Sequence, residues 1–153
     1  MINFLQFLNE VFDNPRPYTI DYVGGRGQEA SFKTADGKVK YLVSVAKEDD
    51  GRGFQHEILF SNEGKDEYDL NVSMRRDNKY QVEVMATVVK IVKDYFAKHP
   101  LRPNDIIRFS STNSESGKIK IYRRLMKMIA KEVGGKFDED NLGHETYFMV
   151  FKK

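Results

Sequence analysis

Asp105-Ile106-Ile107-Arg108-Phe109, Ser110-Ser111-Thr112-Asn113-Ser114-Glu115-Ser116-Gly117 and Lys118-Ile119-Lys120-Ile121-Tyr122-Arg123-Arg124-Leu125 follow one another without a break. Residues 106–109 read as a buried strand, 110–117 as a hydroxyl-rich turn, and 118–133 as a basic helix. In that helix Ile121, Leu125, Met128, Ile129 and Val133 recur at helical spacing, while Lys120, Arg123, Arg124, Lys127 and Lys131 point elsewhere. Gly134-Gly135 ends it. A strand that empties through Ser, Thr and Asn into a helix start presents backbone N–H groups to which an anion can bind. The same residues are also ordinary helix caps, so the turn alone leaves both readings open.

Working outward, Thr146 to Lys152 alternates as a strand, with Tyr147, Met149 and Phe151 on one face and Phe148 and Val150 on the other. Asp138-Glu139-Asp140, between helix and strand, reads as a solvated loop. On the other side a helix is expected over 80–98, with Val84, Val88, Ile91, Val92 and Tyr95 as its buried stripe. His99-Pro100-Leu101-Arg102-Pro103 ends it.

From Tyr18 to Phe60 the period is two. Tyr18, Ile20 and Tyr22, then Ala30 and Phe32, then Val39, Tyr41, Val43 and Val45, then Phe54, His56, Ile58 and Phe60 mark four strands of an antiparallel meander. Asp36-Gly37 is a hairpin signal, and Glu48 to Gly53 a charged turn. Gly24-Gly25-Arg26-Gly27 lies between two strands rather than before a helix, so it is a hairpin turn and not a nucleotide loop. Residues 61–69 read as a loop, with Tyr68, Leu70 and Val72 adding a short strand or a bulge. Residues 1–13 read as an amphipathic helix through Leu5, Leu8, Val11 and Phe12, lying against the sheet; Phe4 and Phe7 beside that face leave a partner-binding role open.

At 153 residues the chain is expected to form a single domain, 1–153, with a core that needs no metal or disulfide. The formal charge is +2, so no global field draws it to nucleic acid and any basic contact surface is local. With no cysteine, disulfides, thiol catalysis and thiolate metal sites are excluded. His56, His99 and His144 are scattered and no metal site is expected. No Gly-x-Ser-x-Gly or Walker sequence occurs. There is no signal-peptide pattern and no apolar run near the ~20 residues of a membrane-spanning helix, so an intracellular protein without membrane contact is expected. The local basic surface is Arg123, Arg124, Lys127 and Lys131; it reads as a solvated helix face or, more sharply, as a contact for an acidic protein, and with few aromatic residues interleaved nucleic acid is the weaker candidate.

The order of elements predicts an α+β fold: a central, mostly antiparallel twisted sheet with helices on its faces, in the order helix, antiparallel meander, helix, strand, helix, strand. That order, with Ile107-Arg108-Phe109-Ser110-Ser111 and Lys120-Ile121-Tyr122-Arg123-Arg124-Leu125, resembles the GNAT superfamily of N-acetyltransferases, and more closely small GNAT-like proteins of tailed bacteriophages. The resemblance implies acetyl-CoA bound by Arg75, Arg76, Ser110, Ser111 and Asn113, Tyr122 as general acid and Glu57 as base through water. The superfamily's phosphate-binding turn contains glycine, whereas Met74-Arg75-Arg76-Asp77-Asn78-Lys79 has none, and a backbone without glycine approaches a phosphate less closely. The expectation is therefore a phage-type GNAT-fold protein that acts by protein contact, as a virion-associated or host-interacting component in the virion or the host cytoplasm. No cofactor and no catalysis are expected. The alternative is an acetyl-CoA-dependent N-acetyltransferase acting on an amine of a small molecule or protein.

Overall fold

A computed structural model of the chain describes residues 15–62, 78–112 and 116–152. The elements are β1 (Tyr18–Gly24), β2 (Gly27–Lys33), β3 (Lys40–Asp49), β4 (Phe54–Asn62), α1 (Asn78–Lys98), β5 (Ile106–Thr112), α2 (Ser116–Val133), β6 (Gly135–Asn141) and β7 (Glu145–Lys152). The strands form one seven-stranded sheet in the order β1-β2-β3-β4-β5-β7-β6. Neighbours are antiparallel except β4 and β5, which run parallel. Parallel neighbours cannot be joined by a tight turn, and the crossover between them contains α1.

Period-two alternation puts one set of side chains on one face. Ala30 and Phe32 of β2 stand opposite Val43 and Tyr41 of β3; Val43 and Val45 stand opposite Phe60 and Ile58 of β4. With Ile107, Phe109, Phe148 and Val150 these residues are buried. Both described helices cover this face. Tyr95 and Phe96 of α1 set their rings 6.0 and 5.0 Å from His56, and Tyr122 of α2 sets its ring 5.8 Å from Phe60 and 4.8 Å from Phe109. Each large side chain buried here contributes about 1.5–3 kcal/mol, which is what holds the helices to the sheet. The other face carries Glu29, Leu42, Ser44, Glu57, Arg108 and Tyr147, which are exposed or half-buried.

The Gly24–Gly27 stretch is a hairpin with Gly25 and Arg26 at its tip. Gly27 has φ +113°, and a Cβ there would lie 1.8 Å from the Val45 carbonyl oxygen, so only glycine fits where β2 meets β3.

The structure corrects the expected architecture. It is dominated by its seven-stranded sheet, and the two helices among the described residues both lie on one face of it, which is not the expected GNAT-like layout with helices on both faces. After α2 the chain forms a hairpin rather than a single strand. Asp138-Glu139-Asp140, expected in a loop, belongs to β6, whose Phe137, Asp138 and Glu139 stand opposite Val150, Met149 and Phe148. Acidic residues are poor strand formers, but this strand needs only Gly135, Phe137 and Glu139 on its inner side, and β7 supplies the pairing. Ser110, Ser111 and Thr112, expected in the turn, extend β5, because β7 pairs with them through Glu145. Of the loop expected over 61–69, Ser61 and Asn62 instead extend β4, because β3 pairs with them through Leu42 and Tyr41; the rest of it, the expected helix over 1–13 and the short strand at Tyr68 to Val72 lie outside the described residues.

Candidate functional site

β4 and β5 pair through only three residues each: Gln55 with Ile106, His56 with Ile107, and Glu57 with Arg108. β4 continues to Asn62 and β5 to Thr112, each bound to its outer neighbour, β3 as far as Tyr41↔Asn62 and β7 as far as Thr112↔Glu145. Beyond Glu57 and Arg108 the two strands therefore part, and among the described residues neither supplies the other with backbone partners. Alternate N–H and C=O groups of residues 58–61 and 109–112 face this opening, in a protein whose other internal strands are paired on both edges.

Asp105 closes the base. Its carboxylate is 3% exposed; Oδ1 accepts the Phe54 N–H at 2.8 Å and Oδ2 the Arg102 N–H at 3.0 Å, which ties the start of β4 to the turn before β5. The Arg102 guanidinium is 3.5 Å from Oδ2 and lies over the Phe54 ring. Burial alone would raise the Asp105 carboxyl, but the two backbone donors and Arg102 outweigh it and hold the carboxyl below the usual carboxylate range. His56 is 2% exposed, with Nε2 3.7 Å from Asp105 Oδ2, too far for a hydrogen bond, and neither ring nitrogen has a hydrogen-bond partner. Burial drives its imidazole below its ordinary value despite the nearby carboxylate, so the ring is neutral at pH 7.

At the last paired step Arg108 Nη2 is 3.4 Å from Glu57 Oε2, each side chain about one-third exposed. With its amide oxygen turned toward Arg108, Gln55 accepts from Nε and Nη1 at 2.9 Å. The guanidinium also lies over Tyr147, whose hydroxyl donates to Glu145 at 2.8 Å; that acceptor holds the phenol above its ordinary value. On the helix side Phe60 and Phe109 stack across the parting strands, centroids 5.2 Å apart and planes 2° from parallel, with the Tyr122 ring edge-on to both. The opening thus has a polar outer rim and an aromatic floor.

The residues expected to act together are dispersed. Tyr122 lies under the floor, 4% exposed, while Glu57 points to the outer face and is engaged by Arg108. The sheet stands between them, and this arrangement does not pair them as acid and base. Ser110 and Ser111 lie on β5 along the opening. Arg75, Arg76 and Asn113 lie outside the described residues. Of the basic set, Arg123 makes a two-point contact with Glu139 at 2.6 and 3.0 Å, and Lys127 lies 5.5 Å over the Phe137 ring. Arg124, Lys127 and Lys131 are exposed. Asp105, His56 and Arg108 were missed as site residues. The one sequence signal for the first was a carboxylate immediately before a strand, and nothing local marked the others. Among the described residues no group of three or more His, Asp or Glu is placed to hold a metal, and no helix is long and apolar enough to cross a membrane.

A family model described as a family of unknown function, DUF6934, matches residues 31–153. No curated protein and no solved structure matches the chain. The match runs from the last residues of β2 through β7 and includes the 107–111 and 120–125 stretches on which the likeness to the GNAT superfamily and to bacteriophage proteins rested. With the observed layout, it overturns that likeness.

Proposed function

The chain belongs to DUF6934, a family of unknown function, and we propose that it works by protein contact, taking an extended segment of a partner into the opening between β4 and β5. One observation carries this reading: two adjacent parallel strands stop pairing after Glu57 and Arg108 while each remains bound on its far side. Strand edges of this kind bind extended chains through backbone hydrogen bonds, with neighbouring side chains setting specificity. Along the opening an incoming chain meets Leu59, Ser110 and Ser111, with the Arg108–Glu57 pair at its closed end.

The same geometry gives a second reading. The arm of acetyl-CoA is an extended chain with two amide groups, and the opening offers amide partners to it as it does to a peptide. In that reading the protein acetylates an amine.

A panel of extended peptides, each presented to the full chain, tests the first reading, with amide protection as the readout. Binding that protects residues 58–61 and 109–112 supports it; binding that protects only other surfaces counts against it. Acetyl-CoA is the control. If it raises the melting temperature and is consumed with an amine acceptor, the contact reading gives way to acetylation.

A further inference from the structure

A second site lies apart from the opening, on the outer face of β1 to β3. Here the side chains of Arg16, Thr19, Asp21, Ser31, Lys33 and Lys40 surround a cavity of about 390 Å³. The register explains why they meet: Thr19 stands opposite Ser31, and Lys33 opposite Lys40. The irregularity in β1 between Ile20 and Tyr22 falls at Asp21.

Two observations give the cavity a chemistry. Ser31 is only 6% exposed, lines the cavity, and its hydroxyl makes no hydrogen bond to any described residue. The residue is buried but its oxygen is open to the cavity, so a group bound there can accept from it. The lysines are directly opposed across the ladder, an arrangement that repels, and among the described residues Lys33 has no ion-pair partner. Arg16 adds a third cation, held by Nε contacts of 3.3 Å to the Lys33 carbonyl oxygen and to Glu83. One carboxylate, Asp21, lines the cavity against these cations, which disfavours a metal ion. Hydroxyl donors beside converging cations suit an oxyanion.

We infer that this cavity binds a phosphate group, held by the ammonium of Lys33 and the hydroxyls of Ser31 and Thr19, with Arg16 and Lys40 at its rim. The group is inorganic phosphate or a small phosphate monoester.

Thermal melting of the full chain in inorganic phosphate, against chloride at equal ionic strength, tests it, with phenyl phosphate as a parallel arm. The expected result is a saturable rise in melting temperature with phosphate or its ester and none with chloride. The lower half-saturation concentration identifies the free ion or the ester as the source. Lys33→Glu should abolish the rise and Ser31→Ala should raise the half-saturation concentration several-fold. Lys98→Glu, at the exposed end of α1, should leave it unchanged. No saturable rise in either arm, or a rise that survives in Lys33→Glu, overturns the site.

Discussion

The Asp105 carboxylate accepts the Phe54 backbone N–H at 2.8 Å, joining two residues 51 positions apart at the point where β4 and β5 come together. The same side chain accepts from Arg102. Asp105→Ala leaves two backbone donors in a buried setting without their acceptor, and is expected to lower unfolding stability by about 2–4 kcal/mol. Chemical denaturation measures this; a loss under about 0.5 kcal/mol would show that the carboxylate does not hold the strands together.

His56 gives the fold a pH dependence of definite sign. In the unfolded chain its imidazole takes a proton near the ordinary value of 6.5, whereas in the fold burial holds it lower. Between the two values the unfolded state binds more protons, so the His56 contribution is complete above about pH 6.5 and is lost as pH falls toward the folded value. His56→Phe removes two buried nitrogens that have no partner and keeps an aromatic ring beside Tyr95 and Phe96. Its melting temperature should change less than wild type between pH 6.5 and 5; equal slopes would assign the titration to other groups.

The outer rim is expected to matter for binding more than for folding. Arg108→Ala removes a partly exposed ion pair with Glu57, a type of contact that contributes about 0–1 kcal/mol. Denaturation should therefore change little while affinity for a captured peptide falls. Unchanged affinity would place the partner elsewhere.

The stripe of exposed Arg124, Lys127 and Lys131 on α2 separates a contact surface from a solvated one. Arg124→Glu with Lys131→Glu should leave stability within about 0.5 kcal/mol, since neither side chain is buried. If binding of every captured partner is also unchanged, the basic face is only solvated. Arg123 is unsuitable for this test because its guanidinium is committed to Glu139.

Much of the sheet was legible because Tyr41, Val43, Val45, Ile58 and Phe60 alternate cleanly and local period reports local structure. The two described helices were legible for the same reason, in Val84 to Tyr95 and Ile121 to Val133. β6 was not, since Lys136-Phe137-Asp138-Glu139-Asp140 carries one apolar residue and is a strand only because β7 lies beside it. The site was harder still. No local pattern in Phe54 to Asn62 or Ile106 to Thr112 says that the strands pair for three residues and then part. That depends on contacts between residues about fifty positions apart, such as Phe54 with Asp105. The family likeness failed on the same ground: short matching runs around Ile107 and Tyr122 constrain single elements and not their assembly.

Residue-resolved amide hydrogen exchange on the free protein tests the parting of β4 from β5 most directly. Protected amides are expected at the paired positions 55–57 and 106–108. Along 58–61 and 109–111, amides bound to β3 or β7 should alternate with amides that exchange at least about a hundredfold faster, as local opening does not limit an unpaired group. Uniform slow exchange along both strands would mean that they stay paired to their ends, and that there is no opening for a partner to enter.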